Sequence, residues 1–272
     1  MVAERRPARL RRGLAGLLGL AALYGLAAQI GNGRLPTTVF IAPHEIEGVE
    51  LLPTYSSLVE EATFLVQAGI LQGGVAVSTS RVLIGLLLGS TVGIALGLAM
   101  GRAAGLEYVL EPWVVLVRFT PALALLPLYV LWFGLGEVSK VGLIATSVAV
   151  VTLQGAYQGV RGIPRVYWDS AASLAAPRCL LVRRVILPAA LPQILASLRI
   201  AIALAWVTVV VAELIKPTMP SLGYLLALAG AYPRVPTIMI ALAAIALLVL
   251  ISDGLTLVAY RWATRWVRRR HE

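Results

Sequence analysis

Long apolar runs separated by shorter polar segments form the dominant pattern of this chain. A run of about 20 apolar residues is long enough to cross the hydrocarbon core of a bilayer as a single helix. The pattern therefore predicts an all-α, polytopic membrane protein with about six transmembrane helices. The predicted spans have their cores at residues 13–30, 82–100, 113–133, 141–160, 191–214 and 236–260.

The first apolar run, residues 13–30, has two interpretations. It follows a group of arginines and contains no charged residue, as the hydrophobic region of a cleaved signal peptide also would. It is long for that role, and residues 26–29 make a poor cleavage site, so we expect it to be retained as a transmembrane helix. Residues 1–72 then comprise this helix and an external acidic segment, which closes with a predicted amphipathic helix near residues 56–71.

Glycine recurs at every fourth position of the second predicted span. Residues spaced in this way share one face of a helix, where the lack of side chains lets another helix approach closely. The stripe consists of Gly85, Gly89, Gly93 and Gly97. It serves either as a static packing surface or as a gliding surface during conformational change, and we favour static packing.

The third predicted span is interrupted by Pro121 and Pro127. Proline in a membrane helix frees backbone carbonyls, which is tolerated where neighbouring groups or a water-filled cavity satisfy them. We therefore expect this span to line a path across the membrane. Residues 101–112, which precede it, are predicted to form a short cytosolic turn. Residues 215–235 are predicted to be external, with an apolar middle that could enter the membrane as a short helix.

Composition supports the membrane class and orients the chain. The 272 residues are 59% hydrophobic and 13% charged, about half the charged fraction of an average soluble domain. The net charge is +10, and the arginines gather before the first span, between residues 161 and 184, and in the tail at residues 261–272. Because basic loops are retained in the cytosol, both termini and the central loop are predicted to be cytosolic. The charge is thus explained by orientation and anionic lipid rather than by nucleic acid.

The segment at residues 161–190 is the long polar interruption in the apolar second half of the chain. Its spacing predicts two short helices, the second beginning near Pro177, because proline suits the first turn of a helix. Asp169 and Ser170 lie on the polar side of the first helix. An apolar, mostly small stripe recurs at helical spacing and consists of Trp168, Ala171, Ala172 and Ala175. Small side chains let the backbone of a partner approach, so the loop is predicted to dock against another protein.

This loop resembles the EAA loop of ABC-importer permeases, whose pattern is E-A-A, three residues, G, nine residues and I-x-L-P. Asp169 stands at the Glu position and Ala175 at the Gly position, and both depart from the pattern. The remaining motif positions correspond to Ser170, Ala171, Val185, Leu187 and Pro188. The flanking segments PALALLPLYVLWFGLGEVSK (121–140) and LPAALPQILASLRIAIALAWVTVVVAEL (187–214) are similar to the sulfonate/nitrate/taurine type of permease.

The resemblance implies the permease subunit of an ATP-driven ABC importer of type I fold. Residues 73–260 would form the permease core of five spans, with the loop at residues 161–190 coupling it to ABC ATPase subunits. It further implies a second permease chain, identical or related, and an extracytoplasmic binding protein that delivers a small, possibly anionic solute. The chain would be a multi-pass protein of the cytoplasmic membrane.

The residues themselves contain no evident catalytic or metal-binding constellation. The sequence has no GxxxxGK[ST] motif, so any ATP must be bound and hydrolysed by another polypeptide. His44 and His271 fall on opposite predicted sides of the membrane and cannot join Cys179 in a metal site. We therefore expect a protein that is not an enzyme and binds no cofactor of its own.

Charged residues within spans cost roughly 2.5–3.5 kcal/mol each at the helix centre, so their presence suggests a role. Arg118 and Asp253 fall at similar predicted depth, and an ion pair between them is one hypothesis. Glu213 lies at the outer end of the fifth span, within reach of water, and the resemblance places an acidic residue there too. It is predicted to form the outer gate, with Trp206 and Thr208 bordering the cavity.

The main alternative is a secondary transporter driven by an ion gradient. Such transporters commonly place carboxylates or broken helices at the midplane of the membrane, in matching halves. The acidic residues here lie toward the ends of the spans, and no duplicated half is evident. A membrane-embedded enzyme would require a cluster of His, Asp or Glu on one side of the membrane, which the sequence does not contain.

Overall fold

The computed structural model describes residues 53–174, 177–215, 217–232 and 234–263, and helices account for the regular structure in these ranges. The predicted span at residues 13–30, Ala175, both histidines and the basic tail after residue 263 lie outside the described residues, as do the side chains of Ala172 and Cys179. The helices are α1 (Tyr55–Gln67), α2 (Ile70–Arg102), α3 (Ala104–Phe119), α4 (Leu126–Phe133), α5 (Glu137–Arg161), α6 (Arg165–Ser173), α7 (Arg178–Leu181), α8 (Leu187–Ile215), α9 (Leu222–Ala231) and α10 (Val235–Ala263).

Five membrane spans can be drawn through the described part of the chain. The helices α2, α5 and α10 are each long and apolar enough to cross a bilayer, and so is α8 together with the turn before it. A further candidate is the pair formed by α3 and Ala122–Phe133, which bends by 95° at the break. These elements correspond to the second to sixth predicted spans. The short helix α9 occupies the apolar middle of the segment predicted to be external.

The bend in the third span has its cause at Pro121. A proline disfavours the helical conformation of the preceding residue, and Thr120 accordingly has φ −77° and ψ 122°. A 3₁₀ turn, Ala122–Leu125, then leads into α4. Pro127 lies in the first turn of α4, where its missing N–H costs no hydrogen bond. Of the two prolines predicted to interrupt this span, Pro121 does so, whereas Pro127 starts a helix.

The prediction of a turn at residues 101–112 is wrong. α2 continues to Arg102 and α3 begins at Ala104, so that Ala103 alone is extended between them. The polar residues of this segment do not mark a turn, and one of them makes contacts to another helix. Glu107 accepts hydrogen bonds from the Tyr157 hydroxyl and from Arg161 Nη2, the latter at 2.7 Å. Because α5 supplies these donors, a charged residue is accommodated within a helix there.

α5 lies at the centre of the bundle, enclosed between α2 and α8. The glycine stripe of α2 packs on one side, and a Cβ added to Gly85 would lie 2.5 Å from Ile144 Cγ2. On the other side a Cβ added to Gly159 would lie 2.9 Å from the Cβ of Ala190 in α8. The structure thus supports static packing as the role of the glycine stripe.

The outer faces of the bundle are apolar and exposed. Large aliphatic side chains cover α10 and the side of α2 that faces away from α5, among them Leu83, Leu87, Leu247, Leu250, Leu255 and Val258. A continuous apolar surface of this kind is suited to lipid or to another membrane chain. It agrees with the membrane class predicted from the apolar runs.

We expect Gly89→Leu to disrupt the bundle, because a side chain at this position meets the backbone carbonyl of Ala145 as well as Val148. Backbone cannot move aside as a flexible side chain can, so the loss in stability should be about 3 kcal/mol or more. Gly254→Leu is the matched control, since nothing lies within 4 Å of a Cβ built at that helical glycine. Thermal unfolding of the purified variants in detergent measures the difference, and equal midpoints would contradict this packing.

Candidate functional site

The loop between α5 and α8 forms the first candidate site, and Trp168 fixes its position. The chain leaves α5 after Arg161, and Pro164 starts α6 by accepting a hydrogen bond from the Tyr167 amide at 3.1 Å. Trp168 of α6 packs against a buried apolar cluster at this end of the bundle, which comprises Ala156, Val160, Ile163, Ile186, Ala190 and Ile194. The indole thereby holds α6 against the ends of α5 and α8.

The opposite face of α6 and the residue that follows it expose apolar side chains. Val166 is 70% exposed, Tyr167 48% and Leu174 80%. The carboxylate of Asp169 is also exposed and forms no ion pair within the described part of the chain. The stripe that begins at Trp168 was expected to receive a partner, but Trp168 faces the bundle instead. The exposed apolar surface of α6 is therefore this opposite face.

The second half of the loop runs without a break into α8. Pro177 accepts hydrogen bonds from the amides of Leu180 and Leu181, as expected for the start of a short helix. A π-helical turn, Val182–Ile186, joins α7 to α8. Leu187 and Pro188, which match the end of the EAA pattern, are thus the first residues of α8.

A cluster of charged groups, in which Arg81 and Glu213 are buried and Glu137 is exposed, forms the second candidate site, near the opposite ends of the same spans. Arg81 of α2 is 3% exposed and donates to Glu213 of α8, which is fully buried, with 2.6 Å between Nη1 and Oε1. The same guanidinium binds both carboxylate oxygens of Glu137 at the start of α5, at 2.6 Å from Nε and 2.5 Å from Nη2. One arginine therefore joins three spans.

Further hydrogen bonds attach α9 to this cluster. The amide of Gly223 donates to Glu213 Oε2 at 2.9 Å, and the amide of Leu222 donates to Ser78 Oγ at 3.0 Å. Ser78 Oγ in turn donates to the carboxylate of Glu213. Carboxylates are stabilised by the free N–H groups at a helix N-terminus. Lys140 also belongs to this set and donates a hydrogen bond to Thr218. We call the whole set the Arg81 cluster; its members are Ser78, Arg81, Glu137, Lys140, Glu213 and Thr218.

The residues predicted to form an outer gate occupy other environments. Glu213 is not within reach of water, because Arg81, Ser78 and α9 cover it. Trp206 is 2% exposed and Thr208 1%, so their predicted position beside a cavity is contradicted, and they fill the interior of one chain. Pro121 and Pro127 are exposed on the bent span, which is compatible with lining a path.

Sequence patterns did not identify Arg81 as a site residue, although a signal was present. Arg81 at the outer end of the second span and Glu213 at the outer end of the fifth have the same predicted depth. Opposite charges at one depth are candidates for a pair. Glu137 and Lys140 fall between the third and fourth predicted spans, so their inclusion in α5 was not predicted.

The predicted ion pair between Arg118 and Asp253 is wrong. Asp253 of α10 pairs with Arg199 of α8, with 2.6 Å between Nη2 and Oδ2. Arg118 instead lies over the ring of Phe119, 5.3 Å from its centroid. Similar depth did not identify the partner, because the rotation of each helix decides which side chains meet.

The fold agrees with what related sequences show. Residues 89–269 match the family described as the inner membrane component of binding-protein-dependent transport systems. The chain belongs to this family. It is a multi-pass membrane permease subunit of a binding-protein-dependent ABC importer.

Among curated relatives, this permease is 36% identical over 222 residues to a probable ABC transporter permease of Brucella abortus (strain 2308), covering 82% of this chain and 88% of the relative. It is 36% identical to the taurine transport system permease of Escherichia coli (strain K12), covering 66% of this chain and 65% of that one. It is 32% identical to a putative aliphatic sulfonates transport permease of Bacillus subtilis (strain 168), covering 71% and 72%.

Solved structures support the type I importer fold. The methionine ABC transporter MetNI in an inward-facing conformation is similar with a TM-score of 0.65 at 18% identity, covering 72% of this chain and 96% of that chain. An amino acid ABC transporter crystallised with histidines is similar with a TM-score of 0.60 at 16% identity, covering 74% and 97%. At these identities the likeness concerns the fold.

We expect Arg81→Met to destabilise the permease by about 3–5 kcal/mol, because the buried carboxylate of Glu213 would be left without its counter-charge. Combining Arg81→Met with Glu213→Met removes both charges and should recover part of the loss. Arg234→Met is the control, since Arg234 is exposed and outside the cluster. Thermal unfolding of the variants in detergent gives the coupling, and additive effects would show that the two residues act independently.

Proposed function

We propose that this permease works as half of a pathway, paired with a second permease chain and driven by two cytosolic ATPase subunits that dock on α6. The solute would be a small anion of the sulfonate type, delivered from outside by a binding protein. The observation that carries the proposal is the exposed apolar face of α6, whose position Trp168 fixes against the bundle. The solute class is supported by relatives named for taurine and aliphatic sulfonates.

The packing of the bundle supports a pathway between two chains rather than through one. The centre of the described bundle is filled by side chains of α5 and α8, among them Ile144, Val148, Trp206 and Val209. A solute would therefore have to travel along an outer face of the chain. A second permease chain facing that surface would close the path on its other side.

Coupling would follow from the connection of α6 to α5 and α8. Binding of ATP would draw the two ATPase subunits together, and each would move the α6 that it holds. Trp168 and Ile163 pack into the apolar cluster shared by α5 and α8, so a displacement of α6 is transmitted to both spans. ATP hydrolysis would then return the spans to the inward-facing state. ATP would be bound by the partner subunits and not by this chain.

The proposed orientation places the termini and the loop from α6 to α7 in the cytosol. The arginines of this loop include Arg183 and Arg184, which are exposed, and basic segments of this kind are retained inside. The Arg81 cluster then lies at the external ends of α2, α5 and α8, on the side from which a binding protein would approach.

The energy source separates this proposal from a secondary transporter. In proteoliposomes that contain the permease, its ATPase and its binding protein, we expect uptake of ethanesulfonate to require ATP and loaded binding protein. Dissipating proton and sodium gradients with ionophores should leave uptake unchanged. Uptake that persists without ATP but stops when the gradients collapse would favour the secondary transporter and contradict the importer mechanism proposed here.

We expect Tyr167→Ala to weaken binding of the ATPase subunit by about tenfold or more, because an exposed tyrosine at the centre of a docking face contributes strongly to affinity. Tyr55→Ala is the matched control, since Tyr55 is also exposed but lies at the start of α1. Co-purification and ATP-dependent uptake are measured for both variants. Equal retention of the ATPase by both would show that α6 is not the docking helix.

A further inference from the structure

A groove on the outer face of the bundle runs between α3, α5 and α8. Its volume is about 280 Å³, near the lower end of the range of ligand sites. Apolar side chains such as Val150 and Ile200 form much of its wall. Its polar lining consists of Arg118, Gln154, Gln158, Gln193 and Ser197. A groove of this size suits a small solute better than a helix of another chain.

Arg118 supplies a positive charge to this groove. It forms no ion pair with any carboxylate in the part of the chain that the structure describes, and its guanidinium lies over the ring of Phe119. It lies just before the break of the third span, and its side chain is exposed on the outer face of the bundle. Charged side chains within spans usually have a partner, so an unpaired one is a candidate for binding a solute.

The glutamines add hydrogen-bond donors to the same groove. Gln154 and Gln158 are one turn apart on α5, so both face the groove, and Gln193 faces them from α8. Gln193 Nε2 lies 3.4 Å from Gln158 Oε1, a long hydrogen bond that leaves donor capacity free. The side-chain amide of Gln154 has no hydrogen-bond partner among the described residues, although it is half-buried.

We propose that this groove is an anion-binding subsite on the translocation path, in which Arg118 and the amide of Gln154 bind the oxyanion head of the solute. The fork of N–H donors on a guanidinium matches the oxygens of a sulfonate or carboxylate. The apolar wall takes the short alkyl part of the solute. This subsite deepens the proposed function and rests on it.

The location of the groove connects it to the coupling loop. Its walls are α5 and α8, the two spans whose ends meet α6. Gln158 lies within the last turn of α5, and its carbonyl accepts the amide of Gly162 at 2.9 Å, where the loop begins. A displacement of α6 therefore changes the separation of the groove walls, and with it the affinity for the anion.

The test measures ATP-dependent uptake of radiolabelled ethanesulfonate by the complete complex in proteoliposomes. Arg118→Met should lower uptake by about tenfold or more, because a charge-assisted contact is lost. Arg118→Lys retains the charge without the fork and should give an intermediate rate. Arg261→Met is the matched control, since it removes an exposed arginine at the end of α10 outside the groove. Co-purification of the ATPase reports whether each complex assembles.

A second variant keeps the test decisive if Arg118→Met fails to assemble. Gln154→Glu preserves the shape of the side chain but brings a negative charge into the groove, which should repel the anion and lower uptake by a similar factor. Normal uptake by Gln154→Glu would overturn the subsite, as would normal uptake by Arg118→Met. A shift from dimer to monomer in either variant would assign the groove to the second chain and also overturn it.

Vesicle composition distinguishes the solute from a lipid headgroup. The same loss of uptake in pure phosphatidylcholine and in vesicles with added phosphatidylglycerol supports the solute site. A loss confined to vesicles with phosphatidylglycerol would assign Arg118 to the lipid and overturn the proposal. Absence of ATP-driven uptake by the unmodified complex would contradict the proposed function itself, whereas normal uptake by both variants would overturn the subsite alone.

Discussion

Close contact of the backbones of α2 and α8 with α5 is the constraint on which the rest of the structure depends. Apolar side chains gain little by leaving lipid for one another, so membrane helices associate through dense packing and small residues. Gly89 and Gly93 let α2 approach α5, while Gly155 and Gly159 do the same for α8. The positions of the groove, the Arg81 cluster and α6 all follow from this arrangement of three spans.

The two ends of these spans are held together by different forces. At one end the Arg81 cluster joins α2, α5, α8 and α9 through paired charges, of which Arg81 and Glu213 are buried. Breaking such a contact exposes an uncompensated charge, so this end resists separation. At the other end α6 is held by Trp168 and its apolar neighbours, which are non-directional contacts that tolerate small shifts. A motion imposed on α6 would therefore pivot the spans about their charged ends.

Sequence patterns predicted the helices of this fold better than the contacts between those helices. The apolar runs predicted the spans, since length and hydropathy alone decide whether a helix can cross a bilayer. The two-helix loop and the glycine stripe also followed from spacing. The rotation of each helix about its own axis could not be predicted from spacing, because apolar residues surround the whole circumference of a membrane helix. For that reason Trp206 was predicted to line a cavity, and Asp253 was assigned to Arg118 instead of Arg199.

The pairing of the charged side chains within the spans distinguishes Arg118 from the others. Four charged side chains lie within the predicted spans, and three of them, Arg199, Glu213 and Asp253, find counter-charges within the described part of the chain. Each of these contacts joins one helix to another, so those charges are explained by the architecture. Among the described residues Arg118 makes no such contact, and it lines a groove beside side-chain amides. A charge that the fold does not use for its own stability is the one available to a solute.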